Sequence, residues 1–117
     1  MSQLDPSAQE RSDELVEARE LRIYLRAIGD LARLQIMRQL AQNKEMGVTE
    51  LARALRVSQP LLSFHLGVLR RAGLVSVRKE GRSVFCALNR QTLRSFGQRL
   101  DAWVGESPAK DGGKDSA

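Results

Sequence analysis

A single cysteine, Cys86, is all the thiol the chain carries. That excludes an internal disulfide, and a cytoplasmic setting is the expectation for such a chain. Histidine is as scarce: His65 stands alone. One Cys and one His cannot supply the three or four ligands of a zinc or soft-metal site, so no metal and no cofactor are expected. One Trp, one Tyr and three Phe are too few for a base-stacking platform, which disfavours single-stranded nucleic acid and stacked RNA as ligands. No apolar run approaches the roughly 20 residues that cross a bilayer, so no membrane partner is expected. The acidic start MSQLDPSAQERSDELVEARE is unlike a secretory signal. No Ser/His/Asp or Cys/His constellation, phosphate-cradling glycine loop or carboxylate pair is in place, so no catalytic residue is named and an enzyme is not expected.

Acid is also missing where it matters: no Asp or Glu lies between Glu50 and Glu80. The net charge is +5, unevenly spread. Residues 1–20 hold two Arg against six Asp/Glu, whereas residues 21–99 hold 15 Lys/Arg against four Asp/Glu. A basic centre suits a phosphate-backbone binder, and equally a solvated surface. At 117 residues, with 42% hydrophobic and 28% charged side chains, the chain reads as one globular domain small enough to gain from dimerisation.

Residues 1–11 read as a loose segment, 12–105 as the folded domain, and 106–117 as a disordered tail. From Ser12, Leu15, Val16, Leu21, Tyr24, Leu25 and Ile28 recur at helical spacing up to Gly29. Asp30 is placed to cap a second helix with Leu34, Ile36, Met37 and Leu40, and Asn43 to Gly47 reads as a loop. Thr49 opens a third helix, and Ser58 caps a fourth with Pro60 in its first turn, ending at Gly73. Two β-rich runs flank Glu80-Gly81 as a hairpin. Asn89 caps a last helix whose Leu93, Phe96, Leu100, Trp103 and Val104 form one stripe. Four helices, a hairpin and a helix, mainly α with a small β-hairpin, make a winged helix-turn-helix. Ala52 suits a close helix crossing, Val57 the turn and Leu62 the inward face, whereas Arg56 stands where such turns often hold glycine.

In the fourth helix, Leu62, Leu66 and Leu69 define a core face flanked by Leu61 and Val68, with His65 at its edge. There a histidine reads as a buried hydrogen-bonding group, and Cys86 as a structural thiol. The opposite side gathers Gln59, Pro60, Ser63, Phe64, Gly67, Arg70 and Arg71. Gln59 and Ser63 are one turn apart near the end that enters a major groove, where both can bond base edges. Phe64 suits a thymine methyl or the neighbouring helix. Arg70 and Arg71 suit phosphates or solvent, and Gly67 a close backbone approach or relief of crowding. Arg78, Lys79 and Arg82 make the hairpin tip cationic, as a minor-groove or phosphate contact needs. The expected DNA-binding set is Ser58, Gln59, Pro60, Ser63, Phe64, Arg70, Arg71, Arg78, Lys79 and Arg82.

The segments LRAIGDLARLQIMRQL, VTELARALRVSQPLLSFHLGVLRRAGLV and RKEGRSVFCALN resemble the ArsR-type bacterial winged-helix regulators over roughly residues 21–104. The resemblance implies a homodimer formed by the first and last helices, operator binding, and release by an effector. By motif match it puts Gln59, Ser63 and Phe64 at base-reading positions and Arg78 and Arg82 in the wing. The chain departs from the metal-sensing members. Met46 and Val48 stand where those carry Cys-x-Cys, the last helix has no His, and Leu31 replaces the proline after Gly-Asp. The expectation is therefore a homodimeric repressor of an inverted-repeat operator in double-stranded DNA, released by a non-metal cue. Small-molecule and redox effectors both stay open. The expected dimer interface is Leu15, Leu21, Tyr24, Leu25, Leu93, Phe96, Leu100, Trp103 and Val104. Alternatives are a winged-helix protein–protein module and a thiol-responsive regulator acting through Cys86.

Overall fold

The computed structural model describes residues 6–105. The elements are α1 (Pro6–Ile28), α2 (Leu31–Ala41), β1 (Met46–Gly47), α3 (Val48–Leu55), α4 (Gln59–Arg71), β2 (Val75–Glu80), β3 (Ser83–Leu88) and α5 (Arg90–Val104). The three strands form an antiparallel sheet in the order β1-β3-β2. The fold is mainly α with a small sheet, a winged helix-turn-helix.

Three helix starts follow from capping chemistry. Asp30, Ser58 and Asn89 each accept a hydrogen bond from the backbone N–H three residues on, at 3.2 Å in every case. Each satisfies one of the donors a helix start leaves without an internal partner. Gly47 has no side chain to do this for α3, so Glu50 reaches back and accepts from the Gly47 N–H at 3.3 Å.

The structure departs from the sequence expectations at several points. α1 begins at Pro6, not Ser12. Proline has no N–H to lose and a helix-compatible φ, so it fits a first turn, and Ala8, Gln9 and Glu10 are good helix formers. The first five residues of the expected loose segment, and the expected tail 106–117, lie outside the described residues. Met46 and Gly47 are not loop but strand, paired to Cys86 and Phe85 of β3. The hairpin turn is Gly81-Arg82, because Glu80 pairs with Ser83. Gly81 takes φ +62°, the positive value a two-residue hairpin loop needs and only glycine adopts freely.

The core lies where α2, α3 and α4 meet the sheet. Leu51, Leu62, Leu69 and Leu74 are wholly buried, with Ile36, Leu40 and Cys86 almost so. Leu61 is not the core flank expected of it and stands 46% exposed, and Leu34 is likewise exposed. α5 returns alongside α1. Tyr24 and Phe96 stack with centroids 5.3 Å apart, Arg99 bonds Glu17 and Glu20 at 2.7 Å, and the Trp103 indole donates to the Glu14 carbonyl at 3.1 Å. Leu21 and Phe96, expected at a dimer interface, are buried within the single chain and fill this seam instead. Tyr24, Leu93 and Leu100 are half-buried beside them. Leu15, Leu25, Trp103 and Val104 remain exposed.

Candidate nucleic-acid interface

α3 and α4 meet at residues 56–58, a turn that Arg56 makes possible by entering the left-handed region at φ 58°, ψ 45°. For a side-chain-bearing residue this costs on the order of 1 kcal/mol. What it achieves is direction: the Val57 N–H bonds the Ala52 carbonyl at 3.1 Å, and the chain turns sharply into α4. Ala52 is 5% exposed, and its short side chain lets the two helices come close. The core leucines of α4 then fix which side of that helix faces outward.

Between α3, α4 and the wing lies a cleft of about 660 Å³. Gln59, Ser63, Gly67 and Arg70 line it from α4, and Arg82 lines it from the hairpin turn. α3 adds Thr49, Glu50 and Arg53, none of them expected at the DNA-binding face. Arg53 lies in the acid-free stretch, so its signal was present, but only the turn geometry shows that α3 flanks α4's outer face. Gln59 Nε2 donates to Thr49 Oγ1 at 3.0 Å, which orients the amide and leaves its carbonyl oxygen free to accept from a base edge. Among the described residues Arg53, Arg70 and Arg82 have no carboxylate partner, so their charge faces outward unspent.

The remaining expected residues divide. Ser58 and Pro60 are exposed at the start of α4, and the Ser58 hydroxyl is occupied in capping. Phe64 is 59% exposed, its ring edge-on to His65 at 5.3 Å. Arg71 diverges from Arg70 and faces a separate small cleft with Ile23, Arg26 and Arg33. Lys79 is exposed in β2.

Arg78 is not a free cation. Its guanidinium forms a double hydrogen bond with Glu45, at 2.7 and 2.8 Å, a third with Glu80 at 2.7 Å, and lies 4.6 Å from the Phe85 ring centre. Those carboxylates raise the Arg78 pKa further, and the hydrogen bond from Arg78 holds Glu45 below the usual carboxylate range. Arg78 thus ties the wing to the loop before β1. Glu80, an awkward charge for a DNA-facing tip, is neutralised by the same contact.

Cys86 is buried, and its thiol donates to the Met46 carbonyl at 3.5 Å. Burial, with Glu45 nearby, pushes its pKa up to about 11. A thiolate is the reactive form, so this environment disfavours the thiol-responsive alternative. Among the described residues no three or more His, Cys, Asp or Glu side chains gather as a metal site, and no helix is long and apolar enough to cross a membrane.

A helix-turn-helix with a cationic wing, an acid-free outer helix face and a cleft between them define a winged-helix protein of the nucleic-acid-binding class. Residues 30–77 match the model of the bacterial regulatory proteins of the arsR family. The chain is 42% identical over 74 residues to the transcriptional activator HlyU of Vibrio cholerae, covering 63% of this chain and 68% of the relative. It is 44% identical over 71 residues to the biofilm growth-associated repressor of Agrobacterium fabrum, covering 61% of this chain and 60% of the relative. Among solved structures, HlyU from Vibrio cholerae superposes with a TM-score of 0.60 at 35% identity, covering 74% of this chain and 95% of that one. An ArsR-like transcriptional regulator from Rhodococcus gives 0.65 at 27% identity, covering 72% and 78%. The chain belongs to the arsR family. These relatives are transcriptional regulators, not enzymes. The chain spans 68% and 60% of the length of the two curated relatives named here.

Proposed function

We propose that the chain is a homodimeric transcriptional repressor that binds an inverted repeat in double-stranded DNA. α4 enters the major groove, and the β2–β3 wing lies along the adjacent phosphates. The observation that carries this is the cleft lined by Gln59, Ser63, Arg53, Arg70 and Arg82, in which Glu50 is the one acidic lining residue. Gln59 and Ser63 read base edges, Phe64 meets a thymine methyl, and Arg53, Arg70, Arg82 and Lys79 hold phosphates. Arg78 shapes the wing.

One chain has one reading helix, so a two-fold dimer supplies the second half-site about one helical turn, 34 Å, away. Leu15, Leu25, Trp103 and Val104, exposed along the α1–α5 pair, form the interface. Repression is favoured by the biofilm growth-associated repressor and by the Synechocystis SmtB homolog, named a transcriptional repressor, although HlyU is named an activator. The release cue is not a metal held at the start of α3, where Met46 is buried and Val48 packs on the core.

Selection of duplexes from a random pool, followed by footprinting, tests the proposal. The expected product is an inverted repeat protected on two successive turns of one DNA face. Gln59→Ala and Ser63→Ala should relax the selected sequence, each costing about 1–3 kcal/mol of discrimination. Recovery of no preferred sequence, or of an unpaired half-site bound by a monomer, contradicts it. A promoter–reporter fusion carrying the selected site sets the sign: expression should fall when the protein is present.

A further inference from the structure

His65 is the one buried polar or charged side chain among the described residues, 8% exposed on the inner face of α4. Its Nδ1 lies 2.9 Å from Nη1 of Arg33 on α2. A guanidinium can only donate, so Nδ1 accepts and the ring carries its proton on Nε2. The same guanidinium donates through Nε to the Ala27 carbonyl at 2.7 Å and through Nη2 to the Arg26 carbonyl at 3.4 Å. Those carbonyls belong to the last turn of α1, whose C=O groups have no N–H donor within the helix. Asp30, the α2 cap, stands 3.9 Å away, and the Arg33 side chain is only 13% exposed. One side chain therefore joins the end of α1, the start of α2 and the core side of α4.

The rest of α4's core side is leucine, and apolar contact is non-directional. It resists separation of the helix better than it resists roll about the helix axis. A roll of about 20° moves the helix surface, about 5 Å from the axis, by about 2 Å. That is enough to break a base-edge hydrogen bond. The Arg33–His65 bond is directional and lies two residues from Ser63, on the opposite side of the helix from the reading face. Leucine would fill the same space but would not fix the roll.

We propose that Arg33 and His65 are positioning residues for DNA recognition: their hydrogen bond sets the roll of α4 against α1, so operator affinity depends on it although neither side chain touches DNA. The inference rests on the DNA-binding reading above. Through Arg33, the reading helix is also tied to α1, one of the two helices of the proposed dimer interface.

The test uses the full chain and a labelled duplex selected by the wild-type protein, with affinity read by fluorescence anisotropy across a salt series. His65→Leu and Arg33→Met should each weaken binding about tenfold, the size expected for a lost hydrogen bond to a charged group. The double variant should be no weaker than the weaker single one. His65→Asn puts an acceptor oxygen where Nδ1 stood and should stay within about twofold of wild type. The salt slope should not change in any of them, since no phosphate contact is removed. Circular dichroism at the assay temperature establishes that each variant is folded. Should His65→Leu not fold, Arg33→Met and His65→Asn carry the comparison. Wild-type affinity in Arg33→Met, a loss in His65→Asn equal to that in His65→Leu, or a salt slope reduced by about two per dimer in Arg33→Met overturns the proposal. Failure of the wild-type protein to bind any duplex overturns the DNA-binding reading itself, a result distinct from tight wild-type binding with indifferent variants.

Discussion

Arg56 shows how one residue can work against local preference for the benefit of the site. Its left-handed conformation turns the chain from α3 into α4 at a cost a glycine would not incur. Arg56→Gly is expected to raise the melting temperature by about 4 °C, measured by thermal circular dichroism, and a fall would contradict the strain argument. Cys86 makes the opposite case. A lone cysteine invites a reactive role, but a buried thiol bonded to a carbonyl, with its pKa pushed up to about 11, is a packing group. Native protein should resist iodoacetamide at neutral pH and react once unfolded. Rapid native alkylation would return Cys86 to the regulatory candidates. Much was legible at this scale because capping, turn chemistry and the amphipathic face of α4 are local properties. The Arg78–Glu45 pair was not, because Glu45 lies 33 residues away and only the folded wing brings the two together.

The wing is the element in which the account divides two similar arginines. Arg82 stands free at the turn, whereas Arg78 is held by Glu45 and Glu80. Arg82→Ala removes one phosphate contact from each protomer and should therefore lower the slope of log affinity against log salt by about two per dimer. Arg78→Ala should leave that slope unchanged, weaken binding through a looser wing, and speed amide exchange in β2 and β3. The reverse pattern would exchange their roles. The helices and the hairpin were readable from period and punctuation. β1 was not: two residues carry no periodicity, and Met46 becomes a strand only because Cys86, 40 positions later, offers its backbone. The early start of α1 was hidden for another reason. Pro6 and its polar neighbours look like a frayed end, yet nothing in them opposes a helix once α5 anchors the turns that follow.

At the scale of the molecule, α1 and α5 form a seam closed by Arg99 with Glu17 and Glu20. The hydrogen bond from Arg99 holds Glu17 below the usual carboxylate range. A carboxylate with a lowered folded pKa stabilises above its unfolded pKa, about 4.3, and loses that contribution as pH falls through the folded value. The wild-type melting temperature should therefore fall more steeply below about pH 4.3 than that of Glu17→Gln. Equal pH profiles would remove the pair from the account. Outside the seam, Trp103 and Val104 stay exposed with Leu15 and Leu25. The apolar stripe was visible in the sequence, but its division into an intrachain seam and an outer edge was not, because a helical period says that a face is buried and not what buries it. Val104→Glu should shift the protein toward monomer in sedimentation velocity and weaken operator binding in parallel; an unchanged dimer would place the interface elsewhere. The claim that joins these scales is that the Gln59–Arg82 cleft seats duplex DNA once per protomer of a dimer. A salt titration of binding to the selected duplex, with stoichiometry, tests it most directly. The account predicts two chains per inverted repeat and a log–log slope of about −0.9 for each phosphate contacted, summed over both protomers. Affinity indifferent to salt, or one chain saturating the site, would contradict it.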